Sequence, residues 1–435
     1  MSYSNITKKL IIRIKNFKLS TDDLIFLSFI ILIFVSLFGT SLPFQGGTYE
    51  EIFEEETTNL SNQVIYLFLF FMSLIPLFRR YDKIFSFLSK EKFLSVFIFL
   101  CLISAFWSQE SFISFKRSFQ LLITFLVLLN SVLFLDYNTL LKPLKIIIPL
   151  YLIINLFSCL IIPQAIDSAS AWKGIHGHKN GLAQSTYYLF LVSTFLDDKR
   201  QNLLKKLYLY SIYLLSIILI YKAQSSTIII VFILTIGYGL IKQFEKLFGR
   251  LNVGRFIIVF LLSFMLITST VVIYFSSDII ALVPQLFGKD MSISGREPIW
   301  GFVISEIAKK PLLGYGFSTY WIMGGSVVDV FASEFGGFKI NQAHNGYLEI
   351  ILQLGLVGLF FFLILLIVFL FRAIKIKKDL PIIILSSLLI INYTESILFQ
   401  PKGICTVVFI TTYLIINRLY FKTKLLKYTS LNYDL

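Results

Sequence analysis

The chain has 435 residues, of which 57% are hydrophobic and only 15% charged, whereas soluble globular proteins carry about 25% charged residues. That composition excludes an ordinary water-soluble enzyme, and it excludes disorder, which needs low hydrophobicity and high net charge. The formal charge of +14 would suit nucleic acid, but in a chain this apolar the placement of charge matters more than its sum.

Apolar runs cover, in chain order, approximately 24–38, 64–78, 93–107, 121–135, 146–162, 181–196, 204–221, 226–241, 256–275, 347–371, 380–398 and 403–420. A helix needs about 20 mostly apolar residues to cross a bilayer, so the shorter runs must extend into their polar flanks. The alternating stretches of a membrane barrel are missing. The pattern predicts an all-α polytopic membrane protein with about twelve spans, a single integral membrane domain over residues 1–435. With a cytoplasmic N-terminus, 28 of the 39 Lys and Arg fall inside and 11 outside. The basic excess is therefore a topology signal, both termini are expected in the cytoplasm, and no nucleic-acid partner is expected. The first span follows a basic segment without a small-residue cleavage site, so an uncleaved anchor is expected. Cys101, Cys159 and Cys405 all lie in apolar runs without CxxC or Cys/His spacing and read as packing residues; no metal site and no cofactor are expected.

Three outer segments have substance. The first, 39–63, contains the acidic run Glu50 to Glu56, read as a solvated face; the second is 163–180. The third, 276–346, is the one long loop, the place to build a site for a large polar substrate. The chain's three histidines all fall outside. His176 and His178 sit in GIHGHKNGLAQ (Gly174 to Gln184) and His344 in NQAHNGYLEIILQLGLVG (Asn341 to Gly358), each at the entry to a span. A lone histidine is usually a bland hydrogen-bonding residue, but three at outer entry points, each beside Asn or Lys, favour function.

Between them, SGREPIWGFVISEIAKKPLLGYGFSTYW (Ser294 to Trp321) opens with a capping-box pattern, Ser294 with Glu297. A short amphipathic helix should follow, with Ile299, Trp300, Val303, Ile304 and Ile307 on one face and Lys309, Lys310 and Pro311 at its end. It is too short to span and suited to the membrane surface. Its N-terminus with Arg296 either binds phosphate or touches lipid headgroups, and physics alone leaves both readings open.

These segments carry a resemblance. WSQESFISFKRS (Trp107 to Ser118), GIHGHKNGLAQ, AQSST (Ala223 to Thr227), SGREPIW with KKPLLGYGFSTYW, and AHNGYLEIILQLGLVGLFFF, in that order, are similar to the O-antigen ligase/polymerase superfamily of bacterial inner-membrane glycosyltransferases. The HKN and AHNGYLE motifs look closest to its exopolysaccharide (succinoglycan-type) polymerase branch. The resemblance implies a fold like that of GT-C-type glycosyltransferases and metal-independent transfer of glycan from undecaprenyl diphosphate to an acceptor sugar hydroxyl, on the periplasmic face. It implies His344 as the base at the acceptor and Arg296 at the donor diphosphate. Arg117 and Lys179, two further cations inside the motifs, are additional diphosphate candidates. The family usually has Lys or Arg where this chain has Ser226, and Lys222 is the nearest replacement. His178, Asn180, Asn345, Tyr347, Glu349 and Trp300 complete the candidates. Glu349 either orients the imidazole or caps backbone. The implied partners are a lipid-linked glycan donor, a glycan or lipid-linked acceptor, membrane lipid, a flippase and a chain-length regulator. A ligase acting on lipid A core or a protein differs only in the acceptor. A lipid-linked oligosaccharide flippase is the competing class, but transporters carry ionisable residues near the midplane and often show repeats. Here span centres are almost uncharged, Glu395 lies near an outer end, and no repeat is visible.

Overall fold

A computed structural model describes residues 19–39, 59–194, 196, 203–248, 296–321 and 341–431. The architecture is helical, with no strand among the described residues. In chain order the longer helices are α1 (Thr21–Phe38), α2 (Leu60–Arg79), α3 (Tyr81–Leu88), α4 (Phe93–Ile103), α5 (Ser111–Phe134), α6 (Tyr137–Leu141), α7 (Leu144–Ile161), α8 (Lys179–Ser193), α9 (Leu203–Lys222), α10 (Ser226–Phe248), α11 (Glu297–Lys309), α12 (Gly346–Ile376), α13 (Asp379–Thr394) and α14 (Ile404–Leu431). Every predicted span except 256–275, which lies outside the described residues, coincides with a helix. Among the described residues eight helical segments are long and apolar enough to cross a membrane, and two shorter helices, Phe93–Phe106 and Asp379–Thr394, are apolar as well.

The helices differ in what surrounds them. Helix α5 is the most enclosed of the spans, packed by α1, α2, α4 and α14, and it buries the polar residues Gln120, Thr124, Asn130 and Ser131 as well as its leucines. Ser131 and Thr124 hydroxyls return to carbonyls one turn back, and Asn130 donates to the Ser73 carbonyl, so these three buried polar groups are answered within the protein. By contrast α9 and α10 leave Leu207, Tyr210, Leu214, Ile230 and Ile233 exposed, an apolar surface that only lipid would cover without cost.

Helix α12 is broken at Gly355, whose φ of +66° is non-helical. The PLLGYG turn after α11 enters the break. Tyr315 and Gly316 N–H donate to the Leu352 and Gln353 carbonyls at 3.0 and 2.9 Å. Leu356 and Val357 N–H donate to the Pro311 and Leu312 carbonyls at 2.8 and 3.2 Å. Irregular backbone survives in an apolar setting only where such partners exist. The kink thereby ties the long-loop segment to the first two turns of α12.

Helix α11 begins one residue beyond Arg296, which is its N-cap; Ser294 lies outside the described residues. Its apolar face does not lie on lipid as the sequence suggested. Ile299, Trp300 and Val303 pack into a second core with Tyr315, Tyr320, Trp321, Leu348 and Leu352. The aromatic GYGFSTYW run and the start of α12 supply enough apolar surface to bury that face against protein.

Candidate active site

Glu395 organises the site. It caps the C-terminus of α13 and is only 6% exposed. One carboxylate oxygen accepts from Arg296 Nη2 at 2.6 Å and from Asn180 Nδ2 at 2.7 Å. The other lies 3.1 Å from His344 Nδ1 and 3.4 Å from Gln342 Nε2. Four segments far apart in sequence thus converge on one buried carboxylate: the loop before α11, the HKN motif opening α8, the AHN motif opening α12, and the end of α13. A buried carboxylate with a cation and several donors is compensated, whereas either charge alone would be expensive.

The backbone around His344 is held from both sides. His344 itself has a left-handed φ of +48°, which costs a non-glycine residue about 1–3 kcal/mol and is typical of functional sites. Ala343 N–H donates to Glu349 at 2.8 Å, and the Ala343 carbonyl accepts from the Trp300 indole at 3.1 Å. Asn345 caps α12 by accepting from the Tyr347 and Leu348 N–H groups. Glu349 therefore acts on backbone: the imidazole is oriented by Glu395, while Glu349 binds Ala343, Trp321 at 2.8 Å and Gln353 at 2.7 Å. With Nδ1 turned to Glu395, Nε2 is the nitrogen left to meet a substrate.

The remaining candidates separate into neighbours and structural residues. His178 is the N-cap of α8, its Nδ1 accepting from Asn180 N–H. Its pKa is held below the usual histidine value, first by partial desolvation, with Glu395 acting in the opposite sense and His344 and Lys179 reinforcing the fall. That places the HKN triplet in the same electrostatic neighbourhood. Trp300 and Asn345 shape the His344 loop, and the Tyr347 hydroxyl donates to the Leu389 carbonyl of α13. His176 is apart: its Nε2 meets the Tyr151 hydroxyl at 2.6 Å, and burial pushes its pKa down to about 4. Lys222 lies over the Trp172 ring, 5.7 Å from its centre. Ser226 starts α10, and next to it Thr227 meets Thr394 hydroxyl to hydroxyl at 2.9 Å, so the AQSST segment abuts the residue preceding Glu395.

Arg117 donates to the Ser318 carbonyl and lines a cavity of 410 Å³ whose wall also includes Gln342, Glu349 and Ser396. Gln342 bridges the two places, since its amide also reaches His344 and Glu395. Among the described residues no group of three or more His, Cys, Asp or Glu has metal-binding geometry. Sequence reasoning missed Glu395 and Gln342 as site residues. The available signal was an acidic residue at the outer end of an otherwise uncharged apolar run, where such a group needs a partner.

Residues 211–363 match the family model described as O-antigen ligase. Over 83 residues the chain is 34% identical to the exopolysaccharide production protein ExoQ of Rhizobium meliloti. Over 75 residues it is 37% identical to a protein of Rickettsia conorii named as a polysaccharide ligase. Each match covers 18% of the relative's own length, and 18% and 17% of this chain respectively. The family segment runs from α9 into α12 and includes Arg296, Trp300, His344 and Glu349, but it stops short of Glu395.

Proposed function

We propose that this protein is a membrane glycosyltransferase that moves glycan from undecaprenyl diphosphate to an acceptor sugar hydroxyl at the outer face of a bacterial inner membrane, as a repeat-unit polymerase. The observation that carries the reading is the convergence of His344, Arg296 and the HKN motif on Glu395. In this mechanism the acceptor oxygen attacks the anomeric carbon while His344 Nε2 takes its proton. The anomeric C–O bond breaks and the diphosphate leaves with the bonding pair. Glu395 keeps the imidazole in the tautomer that leaves Nε2 basic and stabilises the imidazolium that forms, as a carboxylate does in a hydrolase triad. Arg296, with Lys179 nearby, balances charge on the departing diphosphate. Because diphosphate is already a good leaving group once neutralised, one base and fixed cations suffice, and divalent metal is not required.

The test is chain formation from purified lipid-linked repeat units, with donor binding measured separately. His344→Ala should retain donor binding and lose turnover by roughly 10² or more, the scale of a general base. Arg296→Ala should weaken both, because a phosphate contact acts in ground and transition states, and Arg296→Lys should recover only part. Activity should survive chelation. Normal glycan formation by His344→Ala would remove the catalytic assignment of His344, and no glycan formation by the unaltered protein would leave a flippase in front. The ligase reading, in which lipid A core or a protein is the acceptor, is favoured by the family description and by the name of the Rickettsia relative. Offering both acceptor types to the purified protein separates it from polymerisation.

A further inference from the structure

The 410 Å³ cavity beside the reaction centre has a chemistry that the transfer step leaves unused, and its size falls among small-ligand sites, about 300–1,000 Å³. Among the described residues three cations line it, Lys116, Arg117 and Lys402, against one carboxylate, Glu349. Both oxygens of Glu349 already accept hydrogen bonds, from Trp321 and Gln353 on one and from Ala343 and Ser396 on the other, so it is built into the wall. Gln120 also faces the cavity. It is only 6% exposed, so its amide is a polar group set in an otherwise enclosed wall. Trp321 and Phe399 add aromatic faces. Two wall residues other than glycine, Ser318 (φ +57°) and Phe399 (φ +61°), sit in the left-handed region, where strain marks functional surfaces.

We propose that this cavity is a saccharide subsite that seats an acidic sugar unit, one bearing a carboxylate, of the glycan undergoing transfer. The proposal rests on the glycosyltransferase reading and adds to it the chemical class of the substrate. Cations hold the carboxylate, with Arg117 offering the planar fork that pairs with it. The Gln120 and Asn341 amides match sugar hydroxyls, which both donate and accept, and the aromatic side chains cover the apolar sugar face. Gln342, shared with His344 and Glu395, connects the seated unit to the reacting centre.

The experiment uses the full chain in lipid nanodiscs and two probes, a disaccharide ending in glucuronic acid and its glucose-ending counterpart, with binding followed by calorimetry. The acidic disaccharide should bind about tenfold more tightly or better, and Lys116→Gln and Lys402→Gln should each cut that preference about threefold or more. Gln120→Leu should weaken both probes alike, because it removes a hydroxyl partner and no charge. Equal affinity for the two probes, or a preference unchanged in both lysine variants, would overturn the subsite. So would inorganic pyrophosphate that displaces the sugar and itself loses affinity in Lys402→Gln, since the cavity would then hold the donor diphosphate. The binding measurement needs no turnover. If the glycosyltransferase reading alone is wrong, the sugar preference persists while no donor is consumed.

Discussion

At the scale of single residues, Glu395 is a junction whose removal separates charge from shape. Glu395→Gln keeps volume and the bond to Asn180 but leaves Arg296 and His344 without their shared anion. Turnover should fall by roughly 10² or more, as when an orienting carboxylate is lost from a base. Stability should fall as well, because a guanidinium only 18% exposed is left unpaired, at a cost of at most about 3–5 kcal/mol. The double variant Arg296→Gln with Glu395→Gln should regain part of that stability without regaining turnover. A double variant no more stable than Glu395→Gln alone would mean that the pair is not coupled. His176 makes a different test. Burial holds it at about 4 in the folded protein, below the ordinary histidine value of about 6.5. As pH falls through that window the unfolded chain takes the proton first, so stability present above about 6.5 is lost towards about 4. The thermal midpoint in detergent should therefore drop between pH 7 and pH 5, and drop less in His176→Gln. Parallel curves for the two proteins would show that His176 is not the titrating group.

At the scale of elements, the region around α11 and α12 shows what was legible in the sequence and what was not. The spacing of Ile299, Trp300 and Val303 correctly identified a helix with one apolar face, because helical period is local. It could not say what covers that face, since Tyr315, Tyr320 and Trp321 become its partners only through the break at Gly355. The break itself was hidden in an unbroken apolar run, where a glycine costs little and marks nothing alone. A Cβ at Gly355 would lie 2.1 Å from the Leu312 carbonyl oxygen, and one at Gly314 would lie 2.6 Å from the Leu352 carbonyl oxygen. Both positions also have positive φ. Gly355→Ala should thus expel the PLLGYG turn and cost several kcal/mol, on the order of backbone strain of about 1–3 kcal/mol plus the four lost hydrogen bonds. Protein yield and thermal midpoint report it, and a midpoint within a degree of wild type would show that the turn does not depend on the kink. Trp300→Phe should be milder, about 1–3 kcal/mol, because a six-membered ring stays while the pyrrole part of the indole and its bond to the Ala343 carbonyl go. Its turnover should fall more than its stability, since that bond holds the residue before His344.

At the scale of the whole molecule, span positions were readable because each span is a contiguous apolar segment, while the inter-helix contacts that build the site are not local. His344 and Arg296 could be singled out from motif and placement. Glu395 could not be joined to them, lying 51 residues from one and 99 from the other. Orientation is the remaining global property, and the proposed direction rests on charge alone. Lys and Arg are concentrated in the segments assigned to the cytoplasm, 28 of 39, and such a bias sets the direction of insertion when the loops are short. The proposed chemistry depends on it, because the donor glycan and the histidine motifs must face the same compartment. Alkaline phosphatase fused after Asp290 should be active, as an exported enzyme, and the same reporter after Phe248 should be inactive. A fusion after Lys377, between α12 and α13, should match the one after Phe248, since α12 carries the chain back from the outer loop. The His344, Arg296 and Asn180 cluster lies at the ends of helices opposite Lys377, so the three fusions fix its compartment. Activity after Phe248 or Lys377, with none after Asp290, would put Glu395 and its partners in the cytoplasm and overturn both the proposed donor and the proposed reaction.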